Sequence, residues 1–393
     1  MIYLDNNAST PLDPEVRAAI TAALDLYGNP SSVHSDGRRA RRAIEEARDD
    51  VARLVGARPE EIFFTSGGTE ANALAIFGGS QRTVPTGRVV TSAVEHPSVR
   101  EPLSRLAHEL KVETVAIAPD PSGTLDPDRI VEAAAPGTPF VSVMAANNEF
   151  GAVFPVADVA RKLRARNVPV HTDAVQAAGR IPVDAPGWDV DLLSLSAHKL
   201  HGPKGVGALY VRRGFPLRAH TPGGGQEKKI RGGTENTSGI VGFGVAARLA
   251  RERLSEARRI AELRDRLESG ILATIPETRV AGGAAPRLPN TTTILFGGLW
   301  GETLLIRLDL EGVAVSVGSA CSSGTLAPSP AILALGYARE EARGAVRFSL
   351  SRWNTPEEID RVLGLLPLAV AAVRDGRRTP AHPTAVPGSR ARG

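Results

Sequence analysis

VPVHTDAVQAAGRIPVDAPGWDVDLLSLSAHKLHGPKGVGALYV, residues 168–211, contains three short apolar or β-branched runs: Val168–Thr172, Asp191–Ser196 and Gly207–Val211. Each has the length of a buried strand, and polar or glycine-rich residues bound it. Four earlier runs share the pattern: Glu61–Thr65, Arg88–Ser92, Val112–Ile117 and Phe140–Met144. Helical patterns separate most of them. In 36–57, for example, Ala40, Ile44, Ala47, Val51 and Leu54 recur at helical spacing between Arg and Glu. Strands alternating with helices predict an α/β fold, a mainly parallel seven-stranded sheet covered by helices on both faces.

Beyond the sheet the pattern predicts one long amphipathic helix from about Ile240 to Ile275. Strand-like Thr291–Phe296, a Gly/Ser-rich loop around Cys321, strand-like Ala345–Leu350 and a last helix from Pro356 follow. These read as a smaller α+β domain. At 393 residues the chain exceeds what one core usually serves. The expected division is 13–250 for the large domain, and 1–12 with 251–376 for the small one. Residues 377–393, rich in Pro, Gly, Ser and Arg, are expected to form a disordered tail.

Composition narrows the functions. Hydrophobic residues make up 42% and charged residues 23%, as in a soluble globular protein, and no apolar run has membrane-spanning length. The start, Met1 to Asn7, resembles neither a signal peptide nor a basic transit helix, so a cytoplasmic location and no membrane contact are expected. A net charge of +4 suits an anionic partner. The arginines, however, are scattered along Ala/Glu/Arg helices and aromatics are only 4%, so no direct nucleic-acid binding is expected. The single cysteine excludes an internal disulfide and a multi-cysteine metal cage, and no metal site is predicted.

Four stretches carry chemistry. Thr65-Ser66-Gly67-Gly68-Thr69-Glu70 follows a strand and opens a helix, where free N–H groups and glycine suit a phosphate. An ordinary capped helix start would look the same. Asp173, at the end of Val170-His171-Thr172-Asp173, sits where α/β proteins bind ligands and needs a cationic partner such as a pyridinium nitrogen. The plainer alternative is a helix-capping Asp. Lys199, in Ser194-Leu195-Ser196-Ala197-His198-Lys199, is one of six lysines against 41 arginines. An amine just past a buried strand is a candidate Schiff-base nucleophile, and Ser196 and His198 can reach the same anion as Thr69. Cys321, in Val317-Gly318-Ser319-Ala320-Cys321-Ser322-Ser323-Gly324, has only small neighbours, which leaves the sulfur reachable.

Taken in order, YLDNNA, YGNPSS, TSGGTEAN, EHPSV, NNEFG, HTDAVQ, SLSAHKLHGPKG, GGGQE, GSACSS and RFSLSRWNTPEEID make the chain closely similar to the cysteine desulfurases of the nitrogen-fixation and iron–sulfur-cluster type, in the class V aminotransferase group. The resemblance runs from Tyr3 to about Asp360. It implies a fold type I pyridoxal-phosphate enzyme that converts L-cysteine to L-alanine and leaves a persulfide on Cys321. Lys199 would hold pyridoxal 5'-phosphate and move protons. Asp173 would pair with the ring nitrogen, Gln176 with the ring's phenolic oxygen, and His96 would stack on the ring and act as a catalytic residue, a candidate to handle a proton for Cys321. Asn148 would lie beside ring and substrate. Gly68, Thr69, Ser196 and His198 would hold the phosphate, and Thr234 would reach the phosphate of the neighbouring subunit in a homodimer. Arg347 would clamp the substrate carboxylate, which a planar guanidinium does bidentately. The sulfur acceptor would be an iron–sulfur scaffold or a thiolation enzyme.

Val317 and Pro330 depart from the family's usual residues around the cysteine loop. A selenocysteine lyase or another class V enzyme is the competing reading. Aminotransfer needs no thiol, whereas selenocysteine chemistry would share much of the site. A non-catalytic sulfur relay is a further rival, disfavoured by intact Lys199, Asp173 and His96.

Overall fold

The computed structural model describes residues 1–80, 88–318 and 327–376. Its strands, numbered along the chain, are β1 (Ile2–Tyr3), β2 (Ile62–Thr65), β3 (Arg88–Ser92), β4 (Glu113–Ile117), β5 (Val141–Ser142), β6 (Val170–Asp173), β7 (Leu192–Ser196), β8 (Gly207–Val211), β9 (Thr278–Val280), β10 (Thr291–Phe296), β11 (Val313–Ala314) and β12 (Ala345–Ser349). Seven form the main sheet in the order β2-β8-β7-β6-β5-β3-β4. Strands β3 to β7 run parallel, and β8 lies antiparallel between β2 and β7. This is the mainly parallel sheet that the alternation predicts. Every residue of β7 and β8 is buried, as expected of central strands covered on both faces. Strand β5 is shorter than its apolar run, although the N–H groups of Val143 and Ala145 still donate to the carbonyls of His171 and Asp173.

On one face, helix Ser35–Leu54 packs against helix Thr237–Glu252. A Cβ at Gly244 would stand 2.6 Å from the Cα of Ala47, so the close crossing requires glycine. The expected continuous helix over 240–275 is two helices, Thr237–Glu252 and Ala257–Thr274, parted by a tight turn at Leu254–Glu256. At the break, the Arg253 guanidinium donates to Asp13 at 2.8 Å and to Glu15 at 2.7 Å. The second helix then packs on Pro356–Arg374 through Leu263, Leu267 and Ile271. An amphipathic period continues through such a bend, so the pattern alone does not reveal it.

Strands β12, β10 and β9 form a smaller antiparallel sheet. Its core includes Ile2 and Leu4 from the chain start, because β1 pairs with β11. The two regions are not insulated from each other: Leu288, Leu295, Ile332 and Ala345 belong to the apolar cluster that backs the main sheet. Asp5 to Ala8 thus pass along the seam, beside the C-terminal ends of β6 and β7. Residues 377–393, expected to be a tail, and Cys321 lie outside the described residues.

Candidate active site

Asp173 closes β6. Its Oδ1 accepts from the Val175 N–H at 2.9 Å and its Oδ2 from Asn72 Nδ2 at 2.8 Å. The same Asn72 amide donates to Ser98 Oγ at 2.9 Å, and Ser98 Oγ lies 2.7 Å from His96 Nδ1. His96 Nδ1 also accepts the Ser98 N–H at 3.1 Å, which caps helix Pro97–Leu110. With Nδ1 accepting, the neutral ring carries its proton on Nε2. Burial holds this imidazole below its ordinary pKa. Asp173 opposes that effect, while Lys199 and Arg100 add to it.

One turn beyond β7 stands Lys199, whose Nζ donates to the carbonyls of Asn7 at 2.6 Å and Ala8 at 2.7 Å. The chain start is held there by Asn7, whose amide donates to Asn148 O and Thr291 Oγ1. Gln176 Nε2 donates to the Asn7 carbonyl, and Arg180 Nη1 donates to Gln176 Oε1. Burial pushes Arg180 down to about 9, and nearby Arg347 adds to that.

Helix Gly68–Gly79 begins with no side-chain cap, and its first residues, Gly68 and Thr69, line the same cavity as Ser196 and His198. A Cβ at Gly68 would lie 3.0 Å from Val175 Cγ2. Burial, with Lys199, Lys204 and Arg180 nearby, lowers His198 to about 4, which leaves it neutral.

Arg347, on β12, is buried. Its Nη2 donates to Asp5 Oδ1 at 2.7 Å and its Nη1 to Asn148 O at 2.9 Å, while its buried Nε has no partner among the described residues. Asn148 is presented by a tight turn. Asn147 Oδ1 accepts the N–H groups of Glu149 and Phe150, and Gly151 takes φ +80° against the Thr291 side chain.

These groups face one cavity of about 760 Å³. Gly68, Thr69, His96, Asn148, Asp173, Gln176, Ser196, His198, Lys199 and Arg347 all line it. Thr234 does not; it is exposed, beside a small separate cavity with Ser66 and Arg231. Asn72, Glu95, Glu149 and Asp5 also serve the site, and none of them was singled out from the sequence. Glu95 and Glu149 are buried, and burial raises their carboxyls to about 8 and about 7 respectively. Each adjoins a residue already singled out, His96 or Asn148. The available signal was an acidic residue embedded in an apolar or amide context.

Such a site sets an amine beside a buried carboxylate, an uncapped helix start and a buried guanidinium. The chain matches the class-V aminotransferase family over residues 2–362 and belongs to it. Within that family its place is among the cysteine desulfurases. The cysteine desulfurase of Sinorhizobium fredii is 46% identical over 379 residues, 96% of this chain and 98% of that protein. A solved NifS-like protein shares the fold at 36% identity and TM-score 0.87, covering 94% of this chain and 99% of that one. A structure of SspA in complex with cysteine matches at 32% identity and TM-score 0.79, covering 90% and 100%. The family resemblance drawn from the motifs is borne out.

Proposed function

We propose that the cavity binds pyridoxal 5'-phosphate and L-cysteine, and that Cys321 receives the substrate's sulfur as a persulfide while L-alanine leaves. The carrying observation is the convergence of Lys199, Asp173, His96, the uncapped helix at Gly68 and Arg347 on one cavity. The residues fit the cofactor. Thr69, Ser196, His198 and the helix N-terminus suit its phosphate, the Asp173 carboxylate a protonated ring nitrogen, and the Lys199 amine an aldehyde.

When bound, the cofactor supplies an electron sink for the substrate's α-carbon. The chain's residues do the rest. Arg347 and Asn148 orient the substrate carboxylate; the donation from Arg347 Nη2 to the Asp5 carboxyl supports carboxylate binding at this guanidinium. Lys199 Nζ holds and moves the α-proton. Asn72 fixes Asp173 and, through Ser98, the His96 ring, so the ring-nitrogen partner and the stacking group share one support. At Cys321 a sulfur–sulfur bond forms as the substrate's carbon–sulfur bond breaks, and a proton completes the methyl group of alanine. The thiolate is the attacking form.

The exposed Thr234 supports a homodimer in which it serves the partner's phosphate. The persulfide then passes to an acceptor protein, an iron–sulfur scaffold or a thiolation enzyme. Among the described residues no helix is long and apolar enough to cross a membrane. The test is alanine and sulfide formation from L-cysteine. Cys321→Ala should keep the cofactor's visible absorbance and lose both products, while Lys199→Ala should lose the covalent cofactor absorbance as well. Full desulfuration by Cys321→Ala would refute the proposal.

A further inference from the structure

Gly318 and Ser329 flank the stretch of sequence that carries Cys321, and the fold brings both against one carboxyl group. Ser329 Oγ donates to Glu149 Oε2 while it accepts the N–H groups of Ala331 and Ile332, at 3.1 and 3.3 Å, as the cap of the following helix. A Cβ on Gly318 would stand 2.6 Å from Glu149 Oε2 and 2.7 Å from Ser329 Cβ, so the carboxyl occupies the space that glycine leaves. All three residues are buried.

The same node reaches the substrate clamp. Glu149 follows Asn148, whose carbonyl accepts from Arg347, and the Glu149 carbonyl accepts from Thr293 Oγ1 at 2.8 Å. Two residues before Gly318, Ser316 exchanges both backbone hydrogen bonds with Arg347, at 3.2 and 2.7 Å.

We propose that Glu149 is a positioning residue for sulfur transfer: its carboxyl is hydrogen-bonded to Ser329 and packed against Gly318, at the two ends of the Cys321 segment, and its backbone adjoins the Asn148–Arg347 clamp. The inference rests on the reading of Cys321 as the sulfur-accepting thiol. A thiol delivered from a tethered origin meets the substrate at a higher effective concentration than one on an untied loop. Loss of the tie therefore slows transfer and leaves substrate binding in place.

Cys321 is the sole cysteine, so alkylation by iodoacetamide reads that thiol alone. In the holoenzyme, Glu149→Ala and Ser329→Ala should lower kcat for alanine formation about tenfold or more, with KM for L-cysteine within about threefold. In the same variants, with and without cofactor, the alkylation rate of Cys321 should rise by more than about threefold. Glu149→Gln, which can still accept the Ser329 hydroxyl, should restore most of both readings. If Glu149→Ala does not fold, Ser329→Ala carries the test.

Unchanged kcat and alkylation in the folded variants would overturn the proposal. So would a loss confined to KM with alkylation unchanged, which would place Glu149 in substrate binding. Desulfuration surviving in Cys321→Ala would refute the role of the thiol instead, and the alkylation rates would still report whether Glu149 fixes its segment.

Discussion

Glu95 and His96 adjoin in sequence, and burial moves them toward the same neutral state by opposite routes. The Glu95 carboxyl rises to about 8 because burial outweighs its bonds from Ser92 and the Met144 N–H, and Asp173 adds to the rise. Above the unfolded value near 4.5, the folded state keeps a proton that the unfolded chain has lost, so stability falls as pH rises until the folded group titrates. The fall is about 2 kcal/mol between about pH 6.5 and 8. Glu95→Gln should lessen that slope, seen as a smaller drop in Tm over this range, with Glu149 supplying part of the remainder below about pH 7; an unchanged slope would remove Glu95 as a cause. His171 works at the other end. Buried between Ser142 Oγ and Ser194 Oγ, it falls to about 3. Below the unfolded value near 6.5 only the unfolded chain gains the proton, so acidification destabilises the fold, by roughly 3 kcal/mol at about pH 4. His171→Gln should lessen that acid loss in urea titrations. Lys199 and Asp173 were legible in the sequence because Asp173 ends a recognisable strand and Lys199 stands just past another. Asp5 and Glu149 were not, because their partners Arg347 and Ser329 lie 342 and 180 residues away.

Two helices bear on the proposed cofactor site and on the sheet behind it. Helix Gly68–Gly79 offers its uncapped start, and Gly68→Ala would put a methyl group 3.0 Å from Val175 Cγ2. Cofactor affinity should fall by about tenfold, measured by absorbance titration of the apoprotein; unchanged affinity would move the anion elsewhere. Helix Ser35–Leu54 is anchored by Arg48, whose Nη1 and Nη2 reach Glu227 at 2.8 Å, while Glu227 Oε2 also accepts the Phe64 N–H. Both ends of this pair are buried. Arg48→Met leaves Glu227 uncompensated and should cost about 3–5 kcal/mol in chemical denaturation. Apolar periodicity gave this helix to within a few residues, because one face packs on the core and the other is solvated. The same signal merged Thr237–Glu252 with Ala257–Thr274, since the bend at Arg253 is set by distant carboxylates, Asp13 and Glu15.

At the scale of the molecule, the chain start threads between the two sheets and hands Asn7 and Ala8 to Lys199. Strand alternation foretold the main sheet but not this threading, which depends on β1 pairing with β11, more than 300 residues away. Thr234, exposed and outside the cavity, stands on a segment joined to helix Gly68–Gly79 by the Arg231–Glu70 ion pair. If Thr234 serves the partner, a hybrid of Thr234→Val and Lys199→Ala subunits has one intact site. It should recover about half of the wild-type activity when both parents are impaired; no recovery would place Thr234 in its own subunit's site.

The central claim is that Cys321 carries the sulfur. The direct measurement is the mass of the Cys321 peptide after the holoenzyme meets L-cysteine without reductant. If Cys321 carries the sulfur, that peptide gains one sulfur atom, matched by alanine formed, and loses it on treatment with a thiol. Alanine formed with no added sulfur on Cys321 would contradict it.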